Sequence, residues 1–247
     1  MKACAMTDTG RVRSANQDYV FSSIEPVGVL PNLFLVADGM GGHQAGDYAS
    51  RFIAENLVAH FKMTKDTGTV GVLKDGIEKV NQLLYQESKK KPELNGMGTT
   101  LVAAVVEDST MYVANVGDSR LYLIRNRLKQ ITRDHSYVEE LVSLGQLERG
   151  SKDYQEKKNI ITRAVGTEDK LEIDFFEVSL EPGDYILLCS DGLSNMLEDA
   201  EIEEIICSEL ELPEKAEKLI TVANDNGGKD NIAVVLMEPQ LGREVSL

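Results

Sequence analysis

Five aspartates stand where apolar, strand-like runs begin or end, and they constrain the fold more than any other feature of the chain. Asp38 follows Leu33-Phe34-Leu35-Val36-Ala37, Asp118 follows the run 111–117, and Asp191 follows the run 185–190. Asp18 and Asp230 do the reverse, standing just before Tyr19-Val20-Phe21 and before Ile232-Ala233-Val234-Val235-Leu236. In antiparallel strands, an acid after one strand and an acid before the next fall at the same end of the sheet. Up to five carboxylates would then share one rim, where like charges repel unless cations lie between them. The pattern points to a hard divalent metal site and to metal-assisted chemistry.

Apolar runs predict strands near 2–7, 18–24, 33–37, 99–106, 111–116, 120–125, 173–178, 185–190 and 231–237. Several are almost continuously apolar, which predicts cover on both faces. Helical spacing appears over 44–61, where Ala45, Ala49, Phe52, Ile53, Leu57 and Phe61 form one stripe. It recurs over about 70–90 in Leu73, Ile77, Val80 and Leu84, and is stopped by Pro92 and Asn95-Gly96. Two shorter helices are expected, one holding Ile202, Ile205, Ile206 and Leu210, the other Ala216, Leu219, Ile220 and Ala223. Hairpin-length spacing between strands, with helices in two adjacent pairs, predicts an α+β fold. Two packed antiparallel sheets, each covered outside by a helix pair, give a four-layer α-β-β-α sandwich, here one domain over 1–247. The polar stretch 146–158 has little periodicity and reads either as a solvated surface loop or as a flap touching substrate.

The formal net charge of −15 argues against nucleic-acid or acidic-membrane partners. An anionic substrate would be repelled unless divalent cations reversed the sign locally. No run approaches the length of a membrane span, and no signal-like apolar core is present. Three cysteines without a C-x-x-C pair do not suggest a disulfide framework, and a reducing cytoplasm is expected.

The candidate ligand set is all oxygen, which suits Mg²⁺ or Mn²⁺ and not structural zinc. One carboxylate can bridge two such ions about 3.5–4 Å apart, and water between them would become the nucleophile. Asp38 leads into Gly39-Met40-Gly41-Gly42-His43, where glycine allows the Gly39 carbonyl to approach an ion. No Gly-Lys-Ser/Thr follows, so this is not a Walker phosphate loop. His43, at a helix start, could protonate a leaving alkoxide, although a lone histidine is often structural. Arg13 offers a planar fork for phosphate oxygens, against the plain alternative of a surface arginine. Asp118, in Gly117-Asp118-Ser119-Arg120, is first a hairpin turn and second an extra ligand. His60 reads as surface or packing, His135 as a helix-start turn without a catalytic role, and Asp75-Gly76 as part of a helix.

Seven blocks occur in order: Arg13-Ser14-Ala15-Asn16-Gln17-Asp18, Asp38-Gly39-Met40-Gly41-Gly42-His43, Gly98-Thr99-Thr100, Gly117-Asp118-Ser119-Arg120, Ile161-Thr162-Arg163-Ala164-Val165-Gly166, Ser190-Asp191-Gly192-Leu193 and Asp230-Asn231. Together they resemble the metal-dependent protein phosphatases of type 2C, the PPM family, in its compact bacterial form. The resemblance implies the same sandwich, with a flap at about 145–161. It implies that Asp38 bridges two metals with the Gly39 carbonyl on one, that Asp191 and Asp230 hold the other, and that Asp18 orients water. It further implies a third metal at Asp118, shared with Asp191, a substrate phosphate on Arg13, and His43 as general acid. Gln17 stands where many relatives carry Glu. The implied activity is hydrolysis of phosphoserine and phosphothreonine on proteins by metal-activated water, with two Mn²⁺ or Mg²⁺ ions and a third as an option. The expected setting is a cytoplasmic monomer acting opposite a cognate serine/threonine kinase. The alternatives are a non-catalytic phosphoprotein-binding module and a metal-dependent nucleotide phosphodiesterase.

Overall fold

The apolar runs become strands whose alternate side chains face two different layers, as the period of two requires. The computed structural model describes residues 1–42, 45–90 and 92–241. One sheet holds β2 (Asp18–Ser23), β3 (Leu33–Met40), β5 (Leu101–Glu107), β6 (Thr110–Val116) and β9 (Asp174–Ser179) in that order, with the short β4 (Gly98–Thr99) also on β3. The other orders β1 (Lys2–Asp8), β11 (Ile232–Glu238), β10 (Tyr185–Cys189), β7 (Arg120–Ile124) and β8 (Leu128–Gln130). Every pairing is antiparallel.

Phe34, Val36, Val102, Ala104 and Val113 point between the sheets, where they meet Leu121, Leu123, Ile186, Leu188, Ala233 and Val235. Their neighbours Leu33, Leu35, Leu101, Ala103 and Val105 point the other way, onto α1 (Ala45–Met63) and α2 (Thr69–Lys90). On the second sheet Leu187, Cys189, Val234 and Leu236 face Ile202 and Ile206 of α6 (Asp199–Cys207) and Ala216 and Leu219 of α7 (Leu212–Asp225). The result is the expected α-β-β-α layering, with continuous apolar runs where both faces are covered.

The late helices have legible starts. Glu198 and Glu201 form one capping box, and Glu211 and Glu214 form the next. The second box ends any continuation of α6, so Leu210, expected in that helix, lies in the connection and is exposed. Three further short helices and one strand carried no periodic signal: α3 (Tyr137–Ser143), α4 (Lys152–Lys157), α5 (Asp191–Ser194) and β8. The stretch 146–158 is therefore not irregular throughout. Ser151 caps α4, its side chain accepting from the Tyr154 N–H. Buried Glu139 on α3 accepts from the Tyr154 hydroxyl at 2.8 Å and pairs with Arg149, tying the segment to its neighbour.

Cys4, Cys189 and Cys207 are free. Among the described residues no helix is long and apolar enough to cross a membrane.

Phe34, fully buried between the sheets, has no route to solvent if truncated. Phe34→Ala should lower unfolding free energy by about 3–5 kcal/mol through lost transfer energy and a residual cavity. Urea unfolding followed by circular dichroism checks this, the chain having no tryptophan. A loss under 1 kcal/mol would mean that the inter-sheet layer collapses around the gap.

Candidate active site

The first sheet sets two acids against each other. Asp18 opens β2 and Asp38 lies near the end of β3, directly opposite in the antiparallel register. The Asp38 backbone is held on both sides: its N–H donates to Thr100 Oγ1 at 3.0 Å, and its carbonyl accepts from the Thr100 N–H at 2.8 Å and Thr99 Oγ1 at 2.9 Å. Thr100 Oγ1 in turn meets Ser119 Oγ at 2.7 Å, which links Asp38 to the turn carrying Asp118. Gly39 donates to the Gln17 carbonyl at 3.1 Å. A Cβ on Gly39 would lie 2.0 Å from the Gly46 carbonyl oxygen, so α1 can start this close to the strand only over a glycine.

The second sheet supplies Asp191 after β10 and Asp230 before β11. Ser190 bridges the sheets: its hydroxyl donates to Asp18 Oδ2 at 2.6 Å and accepts from the Ala233 N–H at 2.9 Å. Asn195 donates to Asp191 Oδ2 at 2.9 Å. Asn231 receives the Gln17 N–H and donates to the carbonyls of Thr9 and Ala15, each at 2.9 Å, which fixes the loop bearing Arg13. Arg13 Nη2 donates to Asp230 Oδ2 at 2.8 Å, and the Asn231 N–H donates to Asp230 Oδ1 at 2.8 Å.

Arg13, Asp38, Gly39, Asp118, Asp191 and Asp230 line one cavity of about 270 Å³, together with Thr100, Asn159 and Ile161 among others. Asp18 stands behind this wall, buried. His43, expected as proton donor, lies outside the described residues. Thr99, Thr100, Ser190, Asn195 and Asn231 were not anticipated as parts of the site. Four of the five adjoin or lie inside the motif blocks, and a hydroxyl or amide beside a strand-end acid is the signal that could have found them.

A family model described as protein phosphatase 2C matches residues 9–237. The chain belongs to the protein phosphatase 2C family. The serine/threonine phosphatase stp of Listeria monocytogenes serotype 4b (strain F2365) is 43% identical, with 100% of both chains covered. Protein phosphatase PhpP of Streptococcus pneumoniae serotype 2 (strain D39 / NCTC 7466) is 40% identical over 96% of this chain and 97% of that one. Among solved structures, serine/threonine phosphatase Stp1 from Staphylococcus aureus matches with a TM-score of 0.90 at 35% identity, covering 97% of this chain and 95% of that one. PstP/Ppp of Mycobacterium tuberculosis matches with a TM-score of 0.87 at 33% identity, covering 97% and 98%. This protein phosphatase 2C hydrolyses phosphoserine and phosphothreonine, and its family depends on Mg²⁺ or Mn²⁺.

The phosphatase's donor set fits such cations. Asp18 Oδ1 and Asp191 Oδ1 are buried, and among the described residues neither has a permanent donor; the Asp38 carboxyl can serve these two acids only while it is protonated. A buried carboxylate oxygen without a partner is rare and calls for an unseen ion or water. Burial, then the charges of Asp18, Asp191, Asp118 and Asp230, push Asp38 well above the usual carboxylate range. Burial and the neighbouring acids Asp191 and Asp230 push Asp18 up to about 7, against the opposing Ser190 hydrogen bond. Burial and Asp191 push Asp118 up to about 8, while burial and Asp230 push Asp191 up to about 6. Among the described residues no three acidic, histidine or cysteine side chains close into a compact cage. Arg13 and the Asn231 N–H each donate to one oxygen of Asp230.

These raised values fix the sign of a pH effect. Below about pH 4 the acids are protonated in folded and unfolded chains alike, and as the pH rises through about 6, 7 and 8 the folded chain takes on the cost of ionising Asp191, Asp18 and Asp118 in turn. In excess chelator the melting temperature should therefore fall between about pH 5 and pH 8, and saturating Mn²⁺ should flatten the fall. Asp38→Asn should raise the chelated melting temperature at the alkaline end while abolishing most turnover. A chelated protein that gains stability across this range would contradict the crowded-acid account.

Proposed function

We propose that residues 1–247 act as one phosphatase domain with its chemistry in the aspartate-lined cavity, using two divalent cations and a third at Asp118. Asp38, the Gly39 carbonyl, Asp191 and Asp230 would hold Mg²⁺ or Mn²⁺, with Asp18 acting through water and Asp118 sharing the third ion with Asp191. When bound, the ions neutralise phosphate charge and lower the pKa of water. The convergence of Arg13 and four aspartates on a single cavity, over two buried oxygens without permanent donors, is the observation that carries the reading.

The remaining chemistry belongs to the chain's own groups. Arg13 lines the cavity and is half exposed, so its planar fork is available to two oxygens of the substrate phosphate. Asp230, its partner in the structure, holds the guanidinium at the cavity wall until phosphate competes for it. His43, two positions beyond the cavity-lining Gly41, protonates the departing serine or threonine oxygen directly or through water. The substrate phosphate carries about two negative charges at neutral pH, which Arg13 alone cannot balance against the acids around it. Phosphoproteins are the substrates, and a cognate serine/threonine kinase is the counterpart. We further infer a cytoplasmic monomer, and the net charge of −15 speaks against nucleic acid as partner.

A phosphothreonine peptide assayed with Mn²⁺ tests these roles. Excess chelator and Asp191→Asn should each abolish most turnover, and Arg13→Ala should lower kcat/KM by about 10²–10³-fold. Near wild-type rates in either variant would remove that residue from the site.

His43→Ala should slow phosphopeptide hydrolysis by about 10²–10⁴-fold but leave an activated aryl phosphate almost unaffected, since a good leaving group needs no proton. Equal losses on both substrates would exclude a general acid at this position.

A further inference from the structure

His135 plays no part in the chemistry above, yet it is buried beside the turn that carries Asp118. Both polar groups of the Gly117 peptide unit end on this one residue. The Gly117 N–H donates to His135 Nδ1 at 3.1 Å, and the His135 N–H donates to the Gly117 carbonyl at 2.9 Å. Gly117 needs such a hold. It sits at φ +104°, and a Cβ there would lie 2.7 Å from the Thr100 side chain, so Gly117 itself has no side chain to anchor it, and the nearest side-chain anchor of the turn is Ser119 on Thr100.

The far side of the ring is fixed as well. Because Nδ1 accepts, the ring proton is on Nε2, which faces Asp174 Oδ2 at 3.2 Å and lies 3.3 Å from Arg163 Nη1, a group that donates to Asp174. Arg163 secures that carboxylate through Nη1 at 3.0 Å from Asp174 Oδ1. Burial first, and the charge of Arg163 after the opposing pull of Asp174, hold the ring below its ordinary pKa and so in the neutral, accepting form. The backbone around His135 also grips the chain leaving the 145–161 segment. Thr162 N–H donates to the His135 carbonyl at 2.8 Å, and Tyr137 N–H donates to the Ile160 carbonyl at 2.8 Å.

We infer that His135 is a positioning residue: its Nδ1 lone pair sets the Gly117-Asp118 turn and thereby the ability of Asp118 to bind a divalent cation with Asp191. This rests on Asp118 being the ligand of the third ion. The effect belongs to one nitrogen, Nδ1, and not to the ring's bulk.

Amide side chains can divide the two nitrogens. Asn places its oxygen where Nδ1 lies, whereas Gln reaches the Nε2 position and leaves the Gly117 N–H without an acceptor. The experiment is calorimetric titration of the metal-stripped full chain with Mn²⁺ at fixed pH, with melting temperature as a check on folding. In wild type a weak binding step should be lost in Asp118→Asn. His135→Gln should weaken that same step by about 10–100-fold, the range for groups that orient metal ligands. His135→Asn should retain it, and tighter steps should be unchanged in both. Asp174→Asn leaves the Nδ1 acceptor in place and must also retain the weak step, so a failure of His135→Gln to fold does not protect the inference. Wild-type binding in His135→Gln, equal losses in the Gln and Asn variants, or loss in Asp174→Asn would overturn it. An Asp118→Asn chain that keeps every step would instead remove Asp118 as a ligand, and the inference with it.

Discussion

Asp18 and Asp38 face each other across β2 and β3, and the burial of these crowded acids is the constraint around which the site is arranged. Two like charges a few ångströms apart near a protein surface repel by about 4 kcal/mol, and opposite positions on paired strands are where like charges are least tolerated. The strands cannot relax apart, because Phe34 and Val36 are locked into the inter-sheet layer and Leu33 and Leu35 into the helix layer. Packing thus forces the carboxylates together, and the Thr99, Thr100 and Ser190 contacts hold them there. A rigid sheet end that crowds buried acids is a place where a divalent cation would be bound favourably.

The sandwich contributes a second property. Asp18 and Asp38 come from one sheet and Asp191 and Asp230 flank strands of the other, so the cavity exists only where the two sheets are packed. Ser190 spans that junction with one hydroxyl, touching Asp18 on one sheet and the Ala233 amide on the other. Asn231 extends the same logic to the N-terminal loop, whose path it sets through three hydrogen bonds. Groups carried on strand ends hold their geometry better than groups on free loops, and here even the loop bearing Arg13 is pinned to a strand.

The strands and the acids were legible because each announces itself locally, by an apolar run and by a charge at its end. The elements that were not legible depend on distant partners. Nothing within Lys152–Lys157 signals a helix that stays in place, since its anchor is Glu139 on α3. β8 has no apolar alternation, and the Leu128 N–H is secured by Glu203 of α6, 75 positions away. The roles of Thr100 and Ser190 lay in plain view inside the motif blocks, but a hydroxyl that clamps a backbone looks in sequence like any strand residue. The different settings of the five acids were also beyond what strand ends alone convey. Asp18 lies behind the cavity wall, and Asp230 is shared with Arg13.

That inequality divides the site. Asp38 is fixed by a strand end and by backbone hydrogen bonds with Thr99 and Thr100, and Asp191 by a strand end and the Asn195 amide, so their positions follow from the core. Asp118 sits on a turn whose peptide is held by His135 and whose neighbour Ser119 touches Thr100. On that side a second cavity of about 230 Å³ opens from Asp118 and Asp191 toward Tyr154, Lys158 and Asn159 of the 145–161 segment. The 145–161 segment borders both cavities, through Asn159 and Ile161 in the first and through Tyr154, Lys158 and Asn159 in the second. Sequence change in the polar segment need not move Asp38, because none of the three buried apolar clusters draws on residues 145–161. The coupling that remains runs through His135, where the segment's exit and the Asp118 turn share one residue.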